Sequence, residues 1–309
     1  MRIGTRGSAL ALTQAGQVAA LLGGAEIVTI STSGEDAGSE DAGNYTKSKG
    51  TPADKSRWVD TIEQALLAGE IDLAVHSAKD VPGELADGLS LLGSPARVPA
   101  EDVLCGAPSL DALPQGARVG TGSVRRAAQL RAAREDLRMV SIGGNVDTRL
   151  SRLGEDGLDA IVLARAGLER LGREEEVGAV LDPARFVPAP GQGVLALEGR
   201  TGDSLVEEAV GAITDADTFA CLQAERAVAR GLGASCHTPL GAHAVPAGCG
   251  CLNLRAWVGL PDGSEWCSDE LLGGFYDPNA LGLRVAERMQ AAGARELLRR
   301  AEEMAIEHA

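Results

Sequence analysis

The chain has 309 residues, of which 44% are hydrophobic, and a formal net charge of -15 at pH 7. This length exceeds one ordinary core and predicts two or three domains. The acidic balance excludes nucleic acid and anionic membranes as general partners, because both require a basic face. No apolar run approaches the roughly 18 residues that span a bilayer, and Met1 leads into a strand, not a secretion signal, so we expect a cytoplasmic monomer.

Two segments of the chain begin alike. Residues 2–8 read Arg-Ile-Gly-Thr-Arg-Gly-Ser and residues 118–123 read Arg-Val-Gly-Thr-Gly-Ser. Each leads into apolar residues at helical spacing, and each is followed later by a short buried strand. The predicted helices cover residues 9–22 and 124–133, and the predicted strands cover residues 71–75 and 158–163. Alternating strands and helices predict two related α/β lobes, each with a mostly parallel sheet.

A long polar segment, residues 31–57, interrupts the first lobe without clear periodicity. A loop of this length is usually functional or disordered. Its lysines suit a lid over an anionic site, while its acidic residues suit a solvated loop, and the sequence leaves both open. Proline-rich segments at 95–99 and 188–193 are predicted to link the two lobes.

The last third of the chain has a different pattern. Asp217 is predicted to cap a helix over 218–230, which Gly231 would end. A strand pair turning at 261–263 and one long amphipathic helix complete an α+β region. The six cysteines have no regular spacing and predict free thiols. Cys249 and Cys251 are too close together for a zinc knuckle and have no second pair, so no metal site is predicted.

Arginines lie where helix physics disfavours them. Arg125 and Arg126 follow Ser123 in the first turn of a helix, where a cation costs about 0.3–1 kcal/mol unless an anion is bound. Arg6 beside Ser8 repeats the pattern, and Arg149 after Asn145 adds a third junction. Each alone suits a surface salt bridge, but together they indicate a site for carboxylates or phosphates. A dinucleotide is less favoured, because Arg125 occupies the third glycine position of the pattern.

An apolar strand ends on two charged residues, Lys79 and Asp80, before Pro82 stops it. This places charge at a strand end, either as a surface ion pair or as part of a cleft. His76, four residues earlier, is interpreted as structural. Far downstream, Cys236 lies alone in a loop and suggests a covalent anchor.

These segments together resemble the porphobilinogen deaminase family, also called hydroxymethylbilane synthases, over essentially the whole chain. The matching segments follow the order of the family's motifs: 4–8 with 10–12 and 14–15, 72–82, 119–126, 144–150, 166–172, 190–193, and Cys236 before 239–241.

The resemblance implies three domains. The first two, 1–95 with 192–211 and 98–188, would be α/β lobes like those of periplasmic binding proteins, around an active-site cleft. The third, 212–309, would be a smaller α+β domain that carries Cys236. That cysteine would hold a dipyrromethane cofactor through a thioether. The enzyme would join four porphobilinogen molecules head to tail with release of ammonia, and hydrolysis would free hydroxymethylbilane.

The resemblance also assigns roles to residues. Asp80 would be the catalytic carboxylate, stabilising positive charge on a pyrrole nitrogen. The cofactor would be bound by Cys236, Lys79, Asp80, Thr121, Ser123, Arg125, Arg126 and Arg149. The substrate would be bound by Arg6, Ser8, Asn145, Arg149 and Arg170. No metal is implied.

The sequence departs from the family at Gly143, where a carboxylate-binding arginine is usual. A second departure is in the segment from Lys55 to Trp58, where the family usually has a phenylalanine at the position of Trp58. Two alternatives stay open. The lobes suit a binding protein for a small anion without chemistry, although Asp80 and Cys236 would then have no use. The second alternative is a family member that binds tetrapyrroles but has lost full turnover because of Gly143.

Overall fold

The computed structural model describes residues 1–31, 56–155, 157–234 and 238–307. They divide into two compact units. The first unit is Met1–Pro95 with Leu195–Thr214, and the second is Ala96–Val194 with Asp215–Ala309. None of the helices in the described ranges is long and apolar enough to cross a membrane.

The strands, in chain order, are β1 Arg2–Thr5, β2 Glu26–Thr29, β3 Leu73–Ser77, β4 Leu89–Gly93, β5 Asp102–Cys105, β6 Arg118–Gly120, β7 Arg138–Val140, β8 Ala160–Ala164, β9 Ala179–Val180, β10 Leu195–Arg200, β11 Leu240–Pro246, β12 Cys251–Gly259 and β13 Trp266–Gly274. The α-helices are α1 Ala9–Leu21, α2 Ser56–Leu67, α3 Val124–Ala133, α4 Val146–Ser151, α5 Arg165–Arg170, α6 Ser204–Ile213, α7 Ala216–Leu232, α8 Pro278–Ala291 and α9 Ala294–Glu307. Short 3-10 helices cover Ala78–Asp80 and Glu174–Glu176.

The first unit is built on a five-stranded sheet of order β2-β1-β3-β10-β4. Strands β1, β2 and β3 are parallel, and β10 is antiparallel to both of its neighbours. Its core joins Ile3, Leu73 and Leu197 of the sheet to Val18 of α1 and Val210 of α6. The parallel strands therefore end on one edge, where the segments after β1 and β3 meet.

The second unit contains a sheet with the same plan, of order β7-β6-β8-β5-β9. Strands β6, β7 and β8 are parallel, and β5 is antiparallel to β8 and β9. Thus β6 corresponds to β1, β7 to β2, and β8 to β3. This arrangement confirms the predicted fold class of two related α/β lobes. The prediction of three domains with the boundaries given above stays a prediction.

The C-terminal part of the second unit has an antiparallel sheet, β11-β12-β13, packed with α7, α8 and α9. The predicted strand pair is confirmed, with its turn closed by the Leu260 amide donating to the Glu265 carbonyl at 2.8 Å. The prediction of a single terminal helix was wrong, because Gly293 adopts φ 94° between α8 and α9. That left-handed conformation cannot continue a helix.

The predicted limits of α7 were also wrong at both ends. Asp215, not Asp217, caps the helix, since its Oδ1 accepts from the Thr218 amide at 2.7 Å. The helix ends at Gly233, which has φ 67°. Gly231 lies inside the helix, where a Cβ would stand 2.6 Å from Cβ of Ala286. Glycine at this position thus permits close packing of α7 on α8.

Candidate active site and cofactor-binding residues

A small cavity of about 90 Å³ lies at the strand ends of the first unit. It brings together three of the predicted site residues, Arg6, Ser8 and Asp80. The lining side chains come from β1, α1, α2, β3 and the segments that follow the strands: Thr5, Arg6, Ser8, Leu10, Ala11, Gln14, Val59, Ile62, Val75, His76, Ser77 and Asp80.

The end of β3 fixes the position of Asp80. The chain leaves the strand at Ser77 and forms one turn of 3-10 helix, Ala78–Asp80. Ser77 is tied to α1 through Gln14, whose Nε2 donates to its Oγ at 2.8 Å. Lys79 and Asp80 are half-buried on this turn. Of the two possibilities that the sequence left open, Asp80 lining a cavity favours the cleft, and its role as a site residue stays a prediction.

Side-chain caps begin the helices at all three junctions that the sequence singled out. Ser8 Oγ accepts from the Ala11 amide at 3.4 Å, and Ser123 Oγ accepts from the Arg126 amide at 3.4 Å. Asn145 Oδ1 accepts from the Thr148 amide at 2.9 Å. These three side chains consequently have a structural role in starting α1, α3 and α4.

Thr121 lies just before α3 and is almost fully buried. Its amide donates to the Val140 carbonyl at 2.9 Å, and its Oγ1 accepts from the Ser123 amide at 3.2 Å. The hydroxyl thus orders the turn between β6 and α3.

Arg125 and Arg126 are buried, with 4% and 6% of each residue exposed. Both contact one carboxylate, Asp102 on β5. Arg125 Nη1 donates to its Oδ2 at 2.8 Å, and Arg126 Nε donates to its Oδ1 at 2.9 Å. An anion at the start of α3 is therefore supplied by the chain itself, so the sequence argument that these cations require a bound ligand no longer holds.

The environment of Asp102 keeps it ionised. Burial would raise the pKa of Asp102, but the charges of Arg125 and Arg126, with hydrogen bonds from Arg125 and Gln192, hold it below its usual range. Burial lowers the pKa of Arg126, and Asp102 opposes that shift. Gln192 completes the cluster, since its Nε2 donates to Oδ1 of Asp102 at 2.8 Å and to the Ala100 carbonyl at 2.6 Å.

Arg149 lies on α4 beside the turn that precedes α3. An ideal Cβ built at Gly122 would stand 3.9 Å from its Nη2 and 2.7 Å from the carbonyl oxygen of Ile142. Glycine is required here because backbone and guanidinium approach closely. Asn145 and Gly143 are exposed. Apart from its chain neighbours, no described atom lies within 4 Å of a Cβ built at Gly143, so this position could accept a Cβ.

Arg170 is the last residue of α5, and its charged guanidinium is partly removed from solvent. Burial lowers the pKa of its guanidinium to about 10. Nη2 donates to the Gly193 carbonyl at 2.8 Å, while the buried Nε has no hydrogen-bond partner in the described ranges. A desolvated guanidinium with an unused donor is suited to bind a carboxylate.

Sequence reasoning missed two buried carboxylates of the second unit. Asp102 was given no role, although it holds two of the predicted arginines. Glu225 on α7 is fully buried and accepts from Arg97 Nη1 at 2.6 Å and from the amides of Gly191 at 2.6 Å and Ala244 at 2.8 Å. An acidic residue at a buried helical position was the signal for Glu225. The sequence signal for Asp102 is weaker, because this residue lies at the start of an apolar strand.

Some predictions fall outside the described residues. These are the loop that carries Cys236 and most of the proposed lid, residues 32–55 of the predicted 31–57. Ser56 and Arg57 begin α2. The thiols of Cys105, Cys221, Cys249, Cys251 and Cys267 are free, as predicted for them.

Comparison with known proteins decides the family. Residues 1–208 match the model described as porphobilinogen deaminase, dipyromethane cofactor binding domain, and residues 219–291 match the porphobilinogen deaminase C-terminal domain. The chain belongs to the porphobilinogen deaminase family. The predicted family is thus confirmed, and so is the class of enzyme, a transferase of the hydroxymethylbilane synthase type.

Relatives within the family are similar over nearly their full length. The porphobilinogen deaminase of Deinococcus radiodurans is 44% identical over 305 residues, covering 96% of this chain and 97% of that protein. That of Thermus thermophilus is 43% identical over 304 residues, with the same coverage of 96% and 97%. Among solved structures, the methionine binding protein MetQ is similar over 69% of this chain and 87% of its own, at 15% identity and a TM-score of 0.41.

Proposed function

We propose that this chain catalyses the deamination and head-to-tail condensation of four porphobilinogen molecules, followed by hydrolysis to hydroxymethylbilane. The observation that carries the proposal is that Asp80, Arg6 and Ser8 line one cavity in a chain of this family. The protein would act as a cytoplasmic monomer, without nucleic acid or membrane as a partner.

Asp80 is the group to which we assign the chemistry. Loss of ammonia from porphobilinogen leaves an electron-poor azafulvene with positive charge on the pyrrole nitrogen. An ionised carboxylate stabilises that charge as it develops and accepts a hydrogen bond from the pyrrole N–H. The same carboxylate assists proton transfer to the leaving amine.

Two arginines of the second unit fit ligands rich in carboxylates. The unused Nε donor of Arg170 and the guanidinium of Arg149, packed at the Gly122 turn, support such ligands. We assign Arg6, Ser8, Asn145, Arg149 and Arg170 to substrate carboxylates.

A dipyrromethane cofactor, joined to Cys236 by a thioether, supplies the pyrrole carbon to which the first substrate is added. We assign its carboxylates to Lys79, Thr121, Ser123, Arg125, Arg126 and Arg149, and its pyrrole N–H groups to Asp80. Because Arg125 and Arg126 already bind Asp102, their contribution would use the donors that remain.

The covalent cofactor is tested by mass. Protein from cells that make porphobilinogen should exceed its sequence mass by two linked pyrrole units under denaturing conditions. Cys236→Ser should lose this increment. Cys249→Ser, which changes an exposed free thiol, should keep it. A wild-type mass equal to that of the bare chain would contradict the anchor.

The role of Asp80 is tested by ammonia release. Asp80→Asn should lower turnover by at least about a hundredfold, the loss typical of a general acid–base group, while the cofactor remains on Cys236. The turnover of Asp80→Glu should lie between those of wild type and Asp80→Asn, because the charge is kept but displaced by one methylene group. Asp87→Asn, at an exposed carboxylate nearby, is the matched control. Near-normal turnover in cofactor-loaded Asp80→Asn would exclude the role.

One departure from the family supports a second candidate, a tetrapyrrole-binding member without full turnover. Gly143 stands where the resemblance to the family predicts an arginine, and a Cβ at this position would meet no described atom beyond its chain neighbours within 4 Å. Normal ammonia release by the wild type would exclude this candidate. If Gly143 instead weakens retention of one intermediate, Gly143→Arg should change the distribution of enzyme-bound intermediates in native mass spectra.

A further inference from the structure

Three ionisable side chains are buried at the cavity that Asp80 lines, and one of them, His76, also lines it. They are His76 on β3, Glu198 on β10 and Glu63 on α2, with 8%, 0% and 7% of each residue exposed. The assigned chemistry uses none of them. Burying carboxylates is costly unless they are paired and hydrogen-bonded, so their arrangement requires a physical account.

The contacts of Glu198 leave it short of donors. Nε2 of His76 lies 2.9 Å from its Oε2, which makes an ion pair when the imidazole is protonated. The geometry of this contact is not that of a hydrogen bond, because the ring N–H does not point at the carboxylate oxygen. In the described ranges, neither oxygen of Glu198 therefore has a hydrogen-bond donor while Glu63 is ionised. A proton on Glu63 would supply that donor.

The surroundings of Glu63 favour that proton. Burial, then the nearby charge of Glu198 and hydrogen bonding between the two carboxyl groups, raise the pKa of Glu63. The Ala86 amide, which donates to its Oε1 at 3.3 Å, opposes the shift. Two buried carboxyl groups that hydrogen-bond to each other share one proton more readily than they carry two charges.

Two charged groups on the described parts of these elements, Asp60 and Arg200, do not replace that proton. Asp60, on the same helix as Glu63, adds to the rise of its pKa. Arg200, on the same strand as Glu198, donates through Nη1 to the carbonyls of Leu66 and Ile71 at 2.8 and 2.9 Å. Its Nη2 contacts Asp203 at 2.8 Å.

The pair lies on α2 and on β10, the neighbour of β3, and both α2 and β3 line the cavity. Helix α2 lines it through Val59 and Ile62, and Ile62 precedes Glu63. Strand β3 lines it through Val75 and His76. Glu198 lies on β10, directly paired with β3 in the sheet. A hydrogen bond from Glu63 to Glu198 therefore ties a helix that lines the cavity to the sheet that lines it.

We propose that Glu63 and Glu198 share one proton, and that this pair, with His76, positions the walls of the Asp80 cavity for the substrate. The inference rests on the proposed function, because it takes the cavity to bind porphobilinogen. When rising pH removes the shared proton, two buried carboxylates repel each other. The contact of α2 with the sheet weakens, and substrate affinity falls.

Glu63→Gln tests the inference, because an amide keeps a donor toward Glu198 but cannot lose it by titration. The KM for porphobilinogen in wild type should rise as the pH passes the pKa of the pair, by up to about tenfold per pH unit, the limit for one proton. Glu63→Gln should lack that rise. Glu70→Gln, at an exposed position, should behave as wild type. Parallel KM profiles for wild type and Glu63→Gln would overturn the proposal.

A second measurement needs no activity. A carboxyl group whose pKa is raised by folding stabilises the protein fully below its unfolded value, 4.5 for Glu63, and this stabilisation is lost as the pH rises through the folded pKa. The unfolding free energy of Glu63→Gln relative to wild type should therefore increase with pH. A constant difference would overturn the shared proton, whatever the assays of ammonia release show.

A third measurement uses the wild-type protein alone and remains available if the variant does not fold. Above pH 4.5, where an ordinary glutamate is mostly ionised, its infrared spectrum should contain the C=O band of a protonated carboxylic acid, shifted by deuteration. Absence of this band would also overturn the proposal. If the band and the stability slope are present but wild type releases no ammonia, the proposed function fails while the shared proton stands.

Discussion

Arg125 and Asp102 form an ion pair inside the second unit, with Nη1 2.8 Å from Oδ2 and side chains that are 4% and 2% exposed. Asp102 lies at the first position of β5, and Arg125 lies in the first turn of α3. The pair therefore joins the antiparallel strand of this lobe to the helix that begins its βα unit. Its strength affects stability, whatever either residue does for a ligand.

Removing Arg125 should destabilise the fold. Arg125→Leu leaves a buried carboxylate with one partner fewer, and breaking such a pair costs about 3–5 kcal/mol. Urea unfolding measures the difference. Arg138→Leu, at an exposed position in the same lobe, should change stability by less than about 0.5 kcal/mol. Equal midpoints for the two variants would show that Asp102 is satisfied without Arg125.

Asp102 should make the protein sensitive to acid. Its pKa is held below the usual 3.8, so its contribution is present above that pH and is lost as the pH falls toward the folded value. Asp102→Asn should be less stable than wild type at neutral pH but lose less stability on acidification. Unfolding free energies measured from neutral pH to about pH 3 test this. Parallel pH curves would contradict it.

Arg170 should contribute to substrate affinity. A hydrogen bond to a charged group contributes about 1.5–3 kcal/mol, so Arg170→Leu should raise the KM for porphobilinogen about ten- to hundredfold. Arg173→Leu is the control, because Arg173 forms partly exposed ion pairs with Asp147 and Glu176. A KM equal to that of wild type would assign Arg170 to structure alone, through its bond to the Gly193 carbonyl.

The space around two helical glycines predicts opposite effects of an added Cβ. Gly231→Ala should destabilise by about 1–3 kcal/mol, because its Cβ would meet Ala286 at 2.6 Å. Gly16→Ala in α1, where a Cβ meets no described atom within 4 Å, should stabilise by about 0.5–1 kcal/mol. Thermal unfolding of both variants provides the measurement. Stabilisation by both would show that the two helices separate easily.

Local features of the fold were predictable from the sequence. The start of α3 after Ser123 and its end at Ala133 follow from a cap and a helical apolar pattern. Where two residues of the same type compete, the sequence was insufficient. Asp215 and Asp217 both suit a cap, and only the direction of the side chains decides between them. Gly231 resembles a helix end until the neighbouring helix is known.

Long-range partners were not predictable. Asp102 meets Arg125 only because β5 lies beside β8 in the sheet, and nothing near Asp102 in sequence indicates this. The group of Glu63, His76 and Glu198 comes from three elements whose side chains meet only after β10 joins the sheet. The residues of the candidate site were found by family resemblance, whereas the buried charges that hold them depend on tertiary packing.

The position of β10 determines the order in which the two sheets are completed during synthesis. Strand β10, Leu195–Arg200, lies between β3 and β4, yet the ribosome makes it after every strand of the second lobe's sheet, which ends with β9 at Val180. Until residue 200 has been made, β3 and β4 lack their shared partner and present edges able to pair elsewhere. The lobe that is begun first is therefore finished last, and its nascent strands are the part of the chain most exposed to mispairing.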